Sequence, residues 1–187
     1  MMLYIYRFTK FQLSGMRKVI LGVAISLDGY IEGPNGEFDW CMTDQDYGMS
    51  AFFDRIDSMF IGRKSYEVMT SMGDDAMPGF PPLTQYIFSR TLHNAPPGAS
   101  LIKENIEEEV KRIKNENGKD IWLFGGADLF NYLFNLSLVD EVWLSVHPIV
   151  LGGGRLLFSS IQQKTLLTLI DSKTYSTGLV SMTYRCN

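Results

Sequence analysis

The chain has 187 residues, of which 45% are apolar and 20% charged, and its formal net charge is −4. That length buries one full core, so a single domain is expected, and the mildly acidic balance excludes a general nucleic-acid footprint. No apolar run approaches the ~20 residues needed to span a membrane, and Cys41 and Cys186, with no metal-ligand spacing, read as free thiols of a reducing, cytoplasmic compartment.

Residues 1–15 stand apart. Arg7 and Lys10 interrupt Leu3, Ile5, Phe8, Phe11 and Leu13, and no small-residue cleavage site follows, which argues against a signal peptide. Met16 is a candidate natural start, with the upstream stretch an alternative start or a remnant. A surface strand or arm is the other reading. The domain proper is expected over 16–187.

Val19 to Ile25 is a short apolar run with β-branched residues and reads as a buried strand. Ser26 to Trp40 is a loop punctuated by Asp28-Gly29 and Pro34-Asn35-Gly36. The pattern predicts a helix over 44–56, with Met49, Phe52, Phe53 and Ile56 inward. A short strand over 59–61 and a helix over 65–72 come next. A proline-rich loop over 73–82 precedes a strand over 86–89 and a short one at Leu101-Ile102. Asn105 is an expected N-cap, with Glu107, Glu108 and Glu109 in the first turn where the helix dipole favours acids. Ile106, Val110 and Ile113 form the inner stripe of that helix. Glu107–Lys111 and Glu108–Arg112 are expected as i, i+4 pairs, and Gly118 as its end. A strand over 121–124, a helix over 127–136 and strands over 141–150, 166–170 and 179–185 complete the chain. Alternating strands and helices followed by a β-rich tail predict an α/β fold, one mixed sheet of about eight strands flanked by about four helices.

Three strand ends carry cofactor chemistry. Gly62-Arg63-Lys64-Ser65 joins a turn-permitting glycine, two cations and a hydroxyl to a helix start, a combination that suits a phosphate. Ser89-Arg90 ends a strand with a hydroxyl and a guanidinium, and arginine can take the 2′-phosphate of NADP bidentately. Gly125-Gly126, followed by Ala127, Asp128 and Leu129, removes side chains where a pyrophosphate meets a helix N-terminus. His93 and His147 lie far apart with no acid–His–acid spacing, so no metal site is expected.

The order Ala24-Ile25-Ser26-Leu27-Asp28-Gly29-Tyr30-Ile31, Gly62 to Glu67, Phe88-Ser89-Arg90 and Gly125-Gly126 resembles the dihydrofolate reductase fold, a three-layer α/β architecture. The tail Val139 to Leu144, Pro148 to Gly154 and Leu157-Phe158 is similar to the reductase domain of bacterial riboflavin biosynthesis and its stand-alone relatives. The resemblance implies an NADPH-dependent oxidoreductase. Arg63, Lys64 and Ser65 would meet cofactor phosphates, and Ser89 and Arg90 the 2′-phosphate end. Gly125, Gly126, Ala127, Asp128 and Leu129 would line the pyrophosphate, with Gly62 at the turn and Ala24 beside the nicotinamide. Two departures follow. Dihydrofolate reductases place an acid shortly after a Pro-Trp pair, whereas here Asp39 precedes Trp40 and Asp46 fits the spacing, with Met49 there if a short gap is removed. Riboflavin reductases usually carry an acid just before the glycines, and this chain carries Phe124. Asp46 and Asp28 are therefore the candidate proton sources or substrate anchors, for a small heterocyclic or sugar-derived substrate. The alternatives are a riboflavin-pathway pyrimidine reductase and a non-catalytic cofactor-binding or regulatory protein of the same fold. A homodimer is expected, because the strand over 141–150 is apolar on both faces and, near a sheet edge, would need a cover.

Overall fold

The computed structural model describes residues 15–73 and 79–187; the expectations for residues 1–14, and for part of the 73–82 loop, lie outside them. In chain order the elements are β1 (Val19–Ser26), β2 (Tyr30–Glu32), α1 (Met49–Phe53), β3 (Ile56–Gly62), α2 (Arg63–Ser71), β4 (Thr84–Phe88) and β5 (Ala99–Ile102). Then come α3 (Ile106–Lys114), β6 (Asp120–Gly125), α4 (Ala127–Asn135), β7 (Glu141–His147), β8 (Arg155–Leu156), β9 (Leu167–Thr174) and β10 (Val180–Cys186).

One sheet has the order β5-β4-β3-β6-β1-β7-β10-β9, and β2 and β8 form a small second sheet. The six strands from β5 to β7 are parallel, while β10 and β9 close the sheet antiparallel. Strand alternation sorts the core into two layers. Val19 and Leu21 of β1 face α3 and α4, whose Val110, Ile113, Phe130 and Leu133 are fully buried. Ile20 faces the other way, toward Phe52 of α1, Tyr66 and Met69 of α2, and Trp122. The first layer is largely aliphatic. The second is built on rings, with Phe52, Phe53, Phe80, Trp122 and Trp143 in mutual contact.

Several expectations are corrected. The helix expected over 44–56 is only Met49–Phe53. Tyr47 and Gly48 have positive φ of 50° and 91°, which helical backbone cannot have, and Ile56 is already the first residue of β3. Asn105 stands at the N-cap of α3 but in left-handed conformation, with no side-chain cap; the three glutamates of the first turn are left to complement the dipole. Lys111 pairs with Glu107 at 2.6 Å as expected, but Arg112 turns to Glu109 and Glu116 instead of Glu108, and the helix ends at Lys114 rather than Gly118. Finally, β7 is interior, hydrogen-bonded to both β1 and β10, so neither of its edges is open. The edge on that side is β9, where Leu169 and Ile170 are 51% and 45% exposed.

The amino edge of the sheet is tied by charge. Glu141, 2% exposed, accepts from Lys18 at 2.7 Å and Arg55 at 2.9 Å. Burial pushes its carboxyl up, but those two cations outweigh it and hold it below the usual range. Arg55 also reaches Asp120, Arg17 pairs with Asp57, and Lys114 pairs with Asp140.

Candidate functional site

The opposite, carboxyl edge is built from glycine turns. β3 ends at Gly62, which caps α2, and β6 ends at Gly125, with Gly126 capping α4; neither cap has a side-chain hydrogen bond. The first-turn amides of two nine-residue helices are thus left without side-chain acceptors at adjacent strand ends. Gly125 has φ +146°, a conformation that side chains disfavour, and its peptide to Gly126 is cis. A Cβ on Gly126 would lie 3.0 Å from the Ser65 Oγ, and one on Gly62 only 3.6 Å from the Gly125 oxygen and the Gly126 nitrogen. The two turns close on each other around Ser65 and form a cradle of bare backbone. An anion's oxygens can approach such a surface, and the helix dipoles favour them there.

The cations around this cradle differ. Arg63 is bound by both oxygens of Glu67, at 2.7 and 2.8 Å, a surface pair within α2. Lys64 is exposed and has no ion pair among the described residues. The Ser89 hydroxyl accepts the amides of Thr91 and Leu92 at 3.2 and 3.0 Å, which folds the loop so that Arg90 stands exposed with no partner among the described residues. Ala127 is buried, and Leu129 packs beneath Gly62. Asp128 turns to Arg155, a partner that sequence reasoning missed because the two are brought together only by the small β2–β8 sheet. A groove of about 380 Å³ lies at that sheet, lined by Glu32, Pro34, Arg155 and three glycines.

Beyond the cradle, Ala24 is partly exposed on β1, beside Ser145 of β7. Neither candidate acid stands free next to it. Asp28 accepts the Ser26 hydroxyl at 2.7 Å and the amides of Leu151 and Gly152 at 3.1 and 2.8 Å, tying β1 to the turn after β7. Asp46 accepts the Ser50 hydroxyl and amide at 2.7 and 2.9 Å and the Gly48 amide at 3.0 Å, capping α1. The serine hydroxyl is in each case the first cause of a carboxyl held below its usual range. Both acids accept hydrogen bonds that fasten neighbouring backbone.

His147 is the residue that sequence reasoning set aside, as one of two isolated histidines. It is 3% exposed at the end of β7, and burial pushes its imidazole down. Nε2 accepts the Met42 amide at 3.1 Å, so Nδ1 carries the proton and donates to the Ser145 carbonyl at 2.9 Å. Trp40 stands edge-on to the imidazole at 5.3 Å.

The family model for the RibD C-terminal domain matches residues 17–181, and the chain belongs to that family. It is 42% identical over 183 residues to the uncharacterized protein YyaP of Bacillus subtilis (strain 168), covering 91% of this chain and 96% of that one. A solved structure of a Shewanella sp. PV-4 protein assigned to riboflavin biosynthesis superposes with a TM-score of 0.80 at 24% identity, covering 91% of this chain and 99% of the other. Dihydrofolate reductase from Enterococcus faecalis, solved with NADP(H), superposes with a TM-score of 0.64 at 16% identity over 91% of this chain and 96% of that one. The dihydrofolate-reductase-like fold expected from the residues is thereby shown.

Proposed function

We propose that this member of the RibD C-terminal domain family is an NADPH-dependent reductase that delivers a hydride to a small heterocyclic or sugar-derived substrate. The observation that carries the reading is the cradle at Gly62, Gly125 and Gly126, flanked by Lys64 and Arg90 with their charges unspent. Its bare backbone and uncapped helix starts fit a pyrophosphate, and Arg90 fits a terminal 2′-phosphate. The bound cofactor would supply the hydride. Ser65 and the amides of α2 and α4 would fix the phosphates, and Ala24 would leave room on β1 for a flat ring. Titration calorimetry tests the reading: NADPH should bind at least about tenfold more tightly than NADH, as one or more charged hydrogen bonds provide. Absence of binding by either nucleotide refutes it.

A riboflavin-pathway pyrimidine reductase is the narrower version, supported by the family and disfavoured by Phe124, whose ring offers no hydrogen bond to a polar substrate. The occupied Asp28 and Asp46 favour a second reading, a protein that binds the cofactor without turning it over. Tight NADPH binding with no oxidation across a substrate panel would select it. A homodimer remains part of the proposal, with its face moved from β7 to the exposed Leu166, Leu169 and Ile170 at the β9 edge. A monomer mass by light scattering at micromolar concentration would dismiss it.

A further inference from the structure

The chain has three tryptophans, Trp40, Trp122 and Trp143. Two of their indole N–H groups are satisfied: Trp122 donates to the Gly22 carbonyl at 3.1 Å, and Trp143 to the Ser181 hydroxyl at 2.7 Å. The third is not. Nε1 of Trp40 is buried and is the one side-chain polar atom among the described residues found buried with no hydrogen-bond partner. Buried donors without acceptors are rare, and an indole N–H can only donate, so whatever completes this one must accept.

Its position is informative. Trp40 leans on His147, and His147 ties the loop to β7, accepting the Met42 amide with one nitrogen and donating to the Ser145 carbonyl with the other. Ser145 pairs with Ala24 in the β1–β7 register and with Ser181 in β10, and by strand alternation shares the α1 face with Trp143 and His147. Its hydroxyl has no partner among the described residues. At the β6 end of the same face the Phe124 ring, partly exposed, stands on Trp122 at 4.9 Å. Two unspent donors, the Trp40 N–H and the Ser145 O–H, therefore belong to residues that both neighbour His147.

We propose that Trp40 Nε1 and the Ser145 hydroxyl form an oxygen-binding pair that recognises the carbonyl of a flat, uncharged substrate. The inference rests on the reductase reading and narrows its substrate class. The carbonyl carbon receives the hydride that the cofactor supplies, the C=O π pair moves to the oxygen between the two donors, and a solvent proton completes the alcohol. The carbonyl is reduced and the nicotinamide oxidised. The donors strengthen their bonds as negative charge develops on the oxygen, so they favour the transition state over the ground state. Burial holds the His147 imidazole toward its neutral form and raises the Cys41 thiol to about 11, so the first brings no positive and the second no negative charge, consistent with a neutral ligand.

The test uses isatin, a flat neutral ketone, titrated calorimetrically into the NADP⁺ complex of the full chain. Isatin should bind, and Trp40→Phe, which keeps a ring and deletes the N–H, should weaken it about tenfold. Ser145→Ala should weaken it by a similar factor without touching the loop, which covers the case of a Trp40 variant that fails to fold. NADP⁺ affinity should be unchanged in both, and isatin-5-sulfonate should bind more weakly than isatin. Wild-type isatin affinity in both folded variants, equal binding of the sulfonate, or NADP⁺ binding without isatin binding would each overturn the oxygen-binding pair while leaving the reductase reading intact. Failure of the wild-type protein to bind NADP⁺ would remove both.

Discussion

The two ends of the central sheet spend their charges differently. At the amino edge four bases (Arg17, Lys18, Arg55 and Lys114) meet four acids (Asp57, Asp120, Asp140 and Glu141) in ion pairs that fasten β1, β3, β6, β7 and α3 to one another. At the carboxyl edge Lys64 and Arg90 have no partners among the described residues, two helix N-termini lack side-chain caps, and glycine replaces bulk. Closed pairs are a structural device. Unspent donors around turns of bare backbone are what an anionic ligand needs. The contrast also sets Lys64 and Arg90 apart from Arg63, Asp28 and Asp46, each of which is paired by its contacts within the chain.

The sharpest way to break this contrast is to exchange the consequences of mutation at the two ends. Asp140→Ala should be the most damaging to stability. It strands Lys114, 6% exposed, without its carboxylate and removes the acceptor of the Val19 amide. Loss of one partner from a buried pair costs about 3 kcal/mol or more. Urea unfolding should show that loss, while NADPH affinity of the folded fraction stays unchanged.

Gly126→Val should do the reverse. The new side chain would start 3.0 Å from the Ser65 Oγ and occupy the cradle, so calorimetry should detect no NADPH binding in a protein that keeps its circular dichroism and unfolds near the wild-type midpoint. Normal binding would make the glycine pair a packing device only. Arg90→Ala is finer. NADPH affinity should fall by about 1–3 kcal/mol, the worth of hydrogen bonds to a charged group, and NADH affinity should barely change. Equal losses for both nucleotides would remove Arg90 from the 2′-phosphate.

Asp46→Ala should be milder still and should lie with the structural class. The loss of its bonds to Gly48 and Ser50 at the start of α1 should cost about 1 kcal/mol of stability, with little change in turnover once a substrate is found. A large drop in turnover at unchanged stability would restore it as a proton source. The gentlest probe is pH. The folded-state pKa of Glu141 lies below its ordinary 4.5, so the stability it contributes is fully present above that pH and is lost as pH falls through the folded value. Glu141→Gln should flatten the acid limb of the melting temperature against pH. An unchanged limb would mean that the Lys18 and Arg55 pairs add nothing.

Much of this protein is decided locally and is legible along the chain. Apolar runs such as Val19 to Ile25 and Ile121 to Phe124 make largely buried parallel strands because both faces of the sheet are packed against helices. Turn glycines at 62, 125 and 126 mark strand ends, and at 125 the φ of +146° disfavours any side chain. The α/β class, the eight-stranded sheet and the positions of the cradle follow from those local rules. Pairing across the chain is not local, and there only the tertiary structure decides. Whether Asp46 is a free acid or a cap depends on the fold of Tyr47 and Gly48. Whether Arg63 is available depends on Glu67, and whether β7 is an edge depends on where β10 lays down. His147 and Trp40 show the same limit: their residue types carry no motif, and their proximity exists only because β7 carries the imidazole beneath a loop more than a hundred residues earlier in the chain. Propensity and periodicity are sums over neighbours in sequence, while a hydrogen-bond partner or an orphaned donor is a property of neighbours in space.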